Sequence, residues 1–268
     1  MVQIPDTPAR LRIVPLSRLT AGPRWQLEAM RSLREPILLW FTQGQGRITI
    51  AGATRGFHAH NAIFIPAGVM HGLTVTHRAQ GSMVQFGRDH RLDLPEAPQH
   101  LRLRDKAPQA ELTGIIESIQ RELDSARPGS HTAAHHHLGL LAVWLGRQLV
   151  ERAGEGPTVP PRAAEKLAAR YAVLLEREFH SGLGVADYAT ALGVTPTHLT
   201  RVCKACSGRT ALDLLQDRRL FEARRLLRDT RLPVKEIAAA LGYSTPSYFT
   251  RSFQHSTGQT PSAFRRNR

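Results

Sequence analysis

A chain of 268 residues is long enough for two separate cores, and a hydrophobic content of 41% excludes a disordered polypeptide. The net charge of +14 points to a polyanionic partner; from Arg201 onward 14 Lys/Arg face 5 Asp/Glu, so most of the excess sits in the last quarter. Two cysteines exclude a disulfide framework. The absence of an apolar run of about 18 residues, together with a start (Met1–Asp6) lacking charged and apolar leader regions, predicts a soluble cytoplasmic protein with no membrane partner.

In chain order, residues 11–100 carry short apolar runs separated by turn residues. These are Ile37–Phe41, Arg47–Ile50 after Gly44-Gln45-Gly46, Ala62–Ile65 ahead of Pro66-Ala67-Gly68, and Ser82–Phe86. Their spacing predicts an antiparallel barrel or sandwich over 1–100. Residues 101–160 change to helical period: Leu112, Ile115, Ile116, Ile119 and Leu123 form one apolar stripe. After the Arg127-Pro128-Gly129 turn, Ser130 can cap a second helix through Leu138, Leu141, Trp144, Leu145 and Leu149. Such a pair must cover the barrel or a second subunit. Ala153–Pro161 reads as a linker, and everything in 161–268 is helical. The expected class is α+β: an antiparallel β-barrel with a helical pair, followed by an all-α domain.

That last domain repeats itself. Thr195-Pro196-Thr197-His198-Leu199-Thr200-Arg201 returns as Thr245-Pro246-Ser247-Tyr248-Phe249-Thr250-Arg251, each copy following a Leu-Gly pair. Thr at the N-cap and Pro at the first helical position begin a helix cleanly. Helix, Gly turn, helix is a helix-turn-helix, with units at about 185–206 and 234–256. Thr197, Thr200 and Arg201 share one face, as do Ser247, Thr250 and Arg251, while His198 and Tyr248 sit alongside. Arg can pair bidentately with guanine and Thr can meet a base edge, so these eight residues are the candidate DNA contacts; either Arg could instead touch phosphate. The intervening helix of about 20 residues spans about 30 Å, near the spacing of about 34 Å between successive major grooves.

These motifs resemble the DNA-binding domain of the AraC/XylS family of bacterial transcription regulators. The second unit is the closer match, through Val234–Ala238, Leu241-Gly242-Tyr243, Ser247–Phe253 and Gly258–Pro261; the connecting helix Arg218–Leu227 is equally similar. The first departs at Cys203, where the family has Phe, and the second at Gln254, where it has Lys. Gly44-Gln45-Gly46 and Ile63–His71 similarly resemble the cupin-type barrel in front of many such regulators. The resemblance implies a non-enzymatic regulator without cofactor that binds double-stranded DNA, dimerises, responds to a small-molecule effector of unspecified identity, and meets RNA polymerase if it activates. The candidate effector pocket is Trp40, Phe57, Phe64, Met70, His71, Met83 and Phe86, residues that could equally fill a core.

Several His and Cys groups need separate readings. Pro66-x-Gly68-x-x-His71 matches part of a cupin metal motif, and His58 and His60 share a strand face by their spacing. A metal-dependent cupin enzyme fused to a DNA-binding domain is therefore the alternative, although the expectation is no metal. His131, His135, His136 and His137 read as an exposed helix face. Cys203 and Cys206, one turn apart, could sense redox or bind metal, but Cys203 lies on a core position, where packing is expected.

Overall fold

The structure is a computed structural model that describes residues 10–75, 79–87, 92–154 and 162–266. The expected linker falls largely on 155–161, outside the described residues. Among the described residues eight antiparallel strands form two sheets. One has the order β1 (Arg12–Pro15), β7 (Gln80–Gln85), β2 (Ile37–Gln43), β5 (Asn61–Ile65), β8 (Gln99–Arg102); the other has β4 (Ala53–Phe57), β3 (Gly46–Ile50), β6 (His71–Val75).

Alternation along β2 explains the layering. Ile37, Leu39 and Phe41 join Ile63, Ile65 and Met83 in a core shared with Ile48, Phe57 and Leu73 of the smaller sheet. Leu38 and Trp40 point the other way with Ala62, Phe64 and Val84, into a second core with Leu112, Ile116, Ile119, Leu138, Leu141, Trp144 and Leu145. Those residues belong to α3 (Lys106–Leu123) and α4 (Ser130–Gly154), so the helical pair covers the barrel. A strand apolar at every position is one covered on both faces. β1, β4, β6 and β8 lack such runs; β8 is an edge strand with a single buried residue, Leu101.

This geometry corrects two expectations. The seven candidate pocket residues do not surround one space: Trp40, Phe64 and Phe86 belong to the helix-facing core, Phe57 and Met83 to the inter-sheet core, and Met70 to a third cluster. Phe57 stacks on Phe41 at 4.0 Å between centroids, filling the inter-sheet layer. His58 and His60 share no strand face, because β4 ends at Phe57 and His60 turns the chain with φ of +63°. His71 is buried in β6 opposite Ile50, and its Nδ1 lies 2.9 Å from the Val69 carbonyl.

The helical end is α5 (Ala163–Glu178), α6 (Val185–Leu192), α7 (Pro196–Ser207), α8 (Ala211–Asp229), α9 (Val234–Ala240), α10 (Pro246–Thr257) and α11 (Pro261–Arg266). Helix α8 is a spine between two cores: Leu214 and Leu215 pack with α5, α6 and α7, whereas Ala223, Leu226 and Leu227 pack with α9 and α10. The Leu241-Gly242 turn presses on the first unit. Gly242 has φ of +72°, and a Cβ there would come 2.3 Å from the Gly182 nitrogen, so any larger residue is both strained and obstructed.

The β-rich and helical parts pack against each other through α1 (Leu16–Ala21) and α2 (Trp25–Glu28) and the residues that follow. Trp25 lies edge-on to Phe221 and Phe264, with Arg224 5.1 Å from its ring centroid. The Met30 amide donates to Asp217 (2.7 Å) and the Ser32 hydroxyl to Glu176 (2.6 Å). Glu176 also receives Nε and Nη2 of Arg218 at 2.7 and 2.9 Å, and Arg218 Nη1 reaches Glu222 at 3.1 Å. Arg218 is only 5% exposed, and its guanidinium lies 3.9 Å from the centre of the Phe179 ring.

Two outcomes follow for stability. Arg218→Ala leaves Glu176 without its counter-charge in a largely buried site, with Glu222 left to Arg225 alone, and should cost about 3–5 kcal/mol in urea unfolding; Lys lacks the fork and should restore little. Burial, and then the Arg31 charge, push His71 down to about 3, so the folded chain keeps it neutral. The unfolded chain takes up that proton near the ordinary 6.5. His71 therefore favours folding fully above about pH 6.5, and that contribution falls away as pH drops toward about 3. His71→Gln should flatten the decline of the urea midpoint between pH 6.5 and 4.5; an unchanged slope would put the acid sensitivity elsewhere.

Candidate nucleic-acid interface

Helices α7 and α10 are built alike. Thr195 accepts the His198 amide at 3.2 Å and Thr245 the Tyr248 amide at 3.1 Å, capping each start, with Pro196 and Pro246 at the first turn. Both end at a left-handed glycine, Gly208 and Gly258. Leu199 and Phe249 anchor the inner face at 0% and 1% exposure. On the outer face Thr197, His198, Arg201, Ser247, Tyr248 and Arg251 are exposed, and Thr200 and Thr250 are half-buried. The eight expected residues thus form two matching solvent-facing rows. Lys204 and Gln254, one turn further along, are exposed on the same rows and were not among the expected contacts; their i, i+4 spacing from Thr200 and Thr250 is the signal for them.

Positive charge is distributed less freely than composition suggests. Arg209 pairs with Asp217, Arg225 with Glu222, and Arg228 with Asp229. Arg219 donates to the Phe179 and Leu183 carbonyls, and Arg265 to those of Leu227 and Leu232. With Arg218 already buried, much of the basic excess holds the helices together. Arg201 and Arg251 differ: neither guanidinium makes a hydrogen bond or ion pair among the described residues, and both residues are exposed. Their guanidinium forks are available to a ligand.

Cys203 is fully buried in the first core with Tyr171 and Tyr188, whose rings meet edge-on at 5.6 Å. Burial, and secondarily Cys206, push its thiol up to about 12, and burial also raises Cys206. Both are protonated thiols at neutral pH, unsuited to rapid redox exchange. In the second unit the equivalent space is filled by Phe253 against Phe249 and Phe264. Within α4, the His135 ring bonds the His131 carbonyl at 2.8 Å, and His131, His135 and His136 are exposed. Among the described residues no group of three or more His, Cys, Asp or Glu is placed to hold a metal ion. Among the described residues no helix is long and apolar enough to cross a membrane.

Comparison with known proteins bears on this helical end. A helix-turn-helix domain profile matches residues 188–267. The transcriptional regulator GlxA of Rhizobium meliloti is 36% identical over 118 residues, covering 41% of this chain and 36% of that protein. The arabinose operon regulatory protein of Escherichia coli is 27% identical over 128 residues, 47% of this chain and 44% of that one. The chain thus spans under half the length of these two relatives. The probable transcription factor PqrA of Proteus vulgaris is 32% identical over 88 residues, a third of this chain but 72% of PqrA. With two like-built helix-turn-helix units of this order and spacing, the chain belongs to the AraC-type family of helix-turn-helix transcriptional regulators.

Proposed function

We propose that the chain is a sequence-specific DNA-binding regulator that inserts α7 and α10 into successive major grooves on one face of the duplex. The observation that carries this is the pair of identically capped helices, each presenting an outward, unpartnered arginine beside Thr and Ser hydroxyls. Helix α8 between them has 19 residues, a span of about 28 Å, comparable with the groove repeat of about 34 Å. Direct base reading falls to Arg201 and Arg251, with Thr197, Thr200, Ser247 and Thr250 beside them; His198 and Tyr248 flank the backbone.

Residues 161–268 are then the DNA-reading domain, 1–100 a sensor for a small-molecule effector, and 101–160 the segment that joins two copies. Support for a homodimer comes from α4, where Leu140, Val143 and Val150 are apolar side chains left 49–74% exposed on the face away from the barrel. RNA polymerase is the further partner if the protein activates. An effector acts by changing the relative population of DNA-competent arrangements.

The test is selection of bound sequences from random or genomic DNA. A bipartite site with its halves about one helical turn apart is expected, and absence of any preferred sequence would defeat the reading. Arg251→Ala should lose about 1–3 kcal/mol at one base step of one half-site and relax the preference there, and Arg201→Ala should do so in the other half. Equal weakening on every sequence would make either arginine a phosphate contact.

A further inference from the structure

Strand β8 closes one edge of a sheet whose two faces are filled, yet beside that edge lies an open cleft of about 400 Å3. That is within the range of about 300–1,000 Å3 typical of small-ligand sites. Its walls are basic: Arg55 from β4, Arg102 from β8, Arg104 just beyond it, and Arg152 near the end of α4, around His100. The register accounts for the convergence. His100 lies opposite Ile63 and Arg102 opposite Asn61, so both project from the face of β8 that looks toward the smaller sheet. His100 Nε2 is 2.7 Å from Asn61 Oδ1, and Arg152 Nη1 donates to the His100 carbonyl at 2.7 Å, tying α4 to the edge strand.

The charges here are not balanced. Asp105 and Glu151 are the acidic residues of the cleft, and Glu151 accepts a hydrogen bond from Gln148. Arg102 and Arg104 are exposed, and their guanidinium groups make no hydrogen bond or ion pair among the described residues. Arg55 has Glu165 of α5 at 4.0 Å. His100 registers the excess: burial first, then the charges of Arg55, Arg102 and Arg152, hold its imidazole down to about 4. Four guanidiniums around one concavity repel one another and focus a positive potential into it.

We propose that this cleft binds a compact oxyanion carrying two or more negative charges, a phosphate monoester or a polycarboxylate, held by the forks of Arg102, Arg104 and Arg152. Guanidinium groups bind such oxyanions bidentately, which adds direction to the charge attraction. The anion also draws Arg55 away from Glu165, so occupancy weakens a contact between the β-rich part and the first helix of the DNA-reading part. The binding claim stands without the proposed function; its use as the effector site rests on that reading.

The test is calorimetric titration of the full chain with glucose 6-phosphate and with citrate, at constant ionic strength, with glucose as the neutral control. Saturable one-to-one binding of one anion but not of glucose is expected, and whichever binds identifies the source. Arg102→Gln with Arg104→Gln, both exposed side chains, should weaken it at least tenfold without lowering the melting temperature of the unliganded protein. No saturable binding by either anion, or equal binding by the double variant, overturns the proposal. A double variant that loses DNA affinity where no small anion binds assigns the cleft to nucleic acid and overturns it too. Sequence-specific DNA binding, measured separately without anion, reports on the regulator reading by itself.

Discussion

A guanidinium buried between two carboxylates and a phenyl ring is the interaction on which the arrangement of the helical end depends. Arg218 occupies the middle of α8, where an unpaired charge would be prohibitively costly to bury. Its two bonds to Glu176 fix α5 against α8, and the bond to Glu222 orders the next turn of the spine. The Glu176 Oε1 that receives Arg218 Nη2 also accepts the Ser32 hydroxyl, and Asp217, one residue before Arg218, takes the Met30 amide. The pairing that holds the first helix-turn-helix unit together thus also seats the β-rich part on it. Movement of the segment around Trp25–Ser32 cannot leave α5 and α8 undisturbed.

The β-rich part obeys a different constraint. Its larger sheet is covered on one face by the smaller sheet and on the other by α3 and α4, so the aromatic residues in its strands are consumed in packing. Space for a ligand is displaced to the margin, where β8 has one side without a strand partner and its polar side chains collect at the cleft mouth. A site there depends on charge rather than on apolar enclosure, and its chemistry differs accordingly.

The two helix-turn-helix units reach the same outer geometry from unlike interiors. The first fills its core with Tyr171, Tyr188 and Cys203 contributed by three helices, the second with Phe249 and Phe253 from α10 itself together with Phe264. Cys203 is therefore a filler made possible by the bulk of two tyrosines. On the outside the pair diverges at Lys204 and Gln254, which gives the first unit an extra positive charge toward a polyanion.

The local structure of the helical end was legible in the sequence because its causes are local. Thr-Pro starts, Gly stops and the apolar period place α7, α8 and α10 within a residue or two of their observed bounds. The rows bearing Arg201 and Arg251 follow from helical geometry alone. The apolar runs of β2, β3, β5 and β7 were equally readable, whereas β1, β4, β6 and β8 were not, since their partners rather than their own composition make them strands. Only tertiary structure decided which arginines are spent on carboxylates and carbonyls, that Trp40, Phe57 and Met70 lie in three different cores, and that Arg55, Arg102 and Arg152 meet at one cleft. The Arg218–Glu176 pair, the carbonyl contacts of Arg219 and Arg265, the core memberships and the cleft all join residues tens of positions apart, and no periodicity within a segment carries information about a partner that distant.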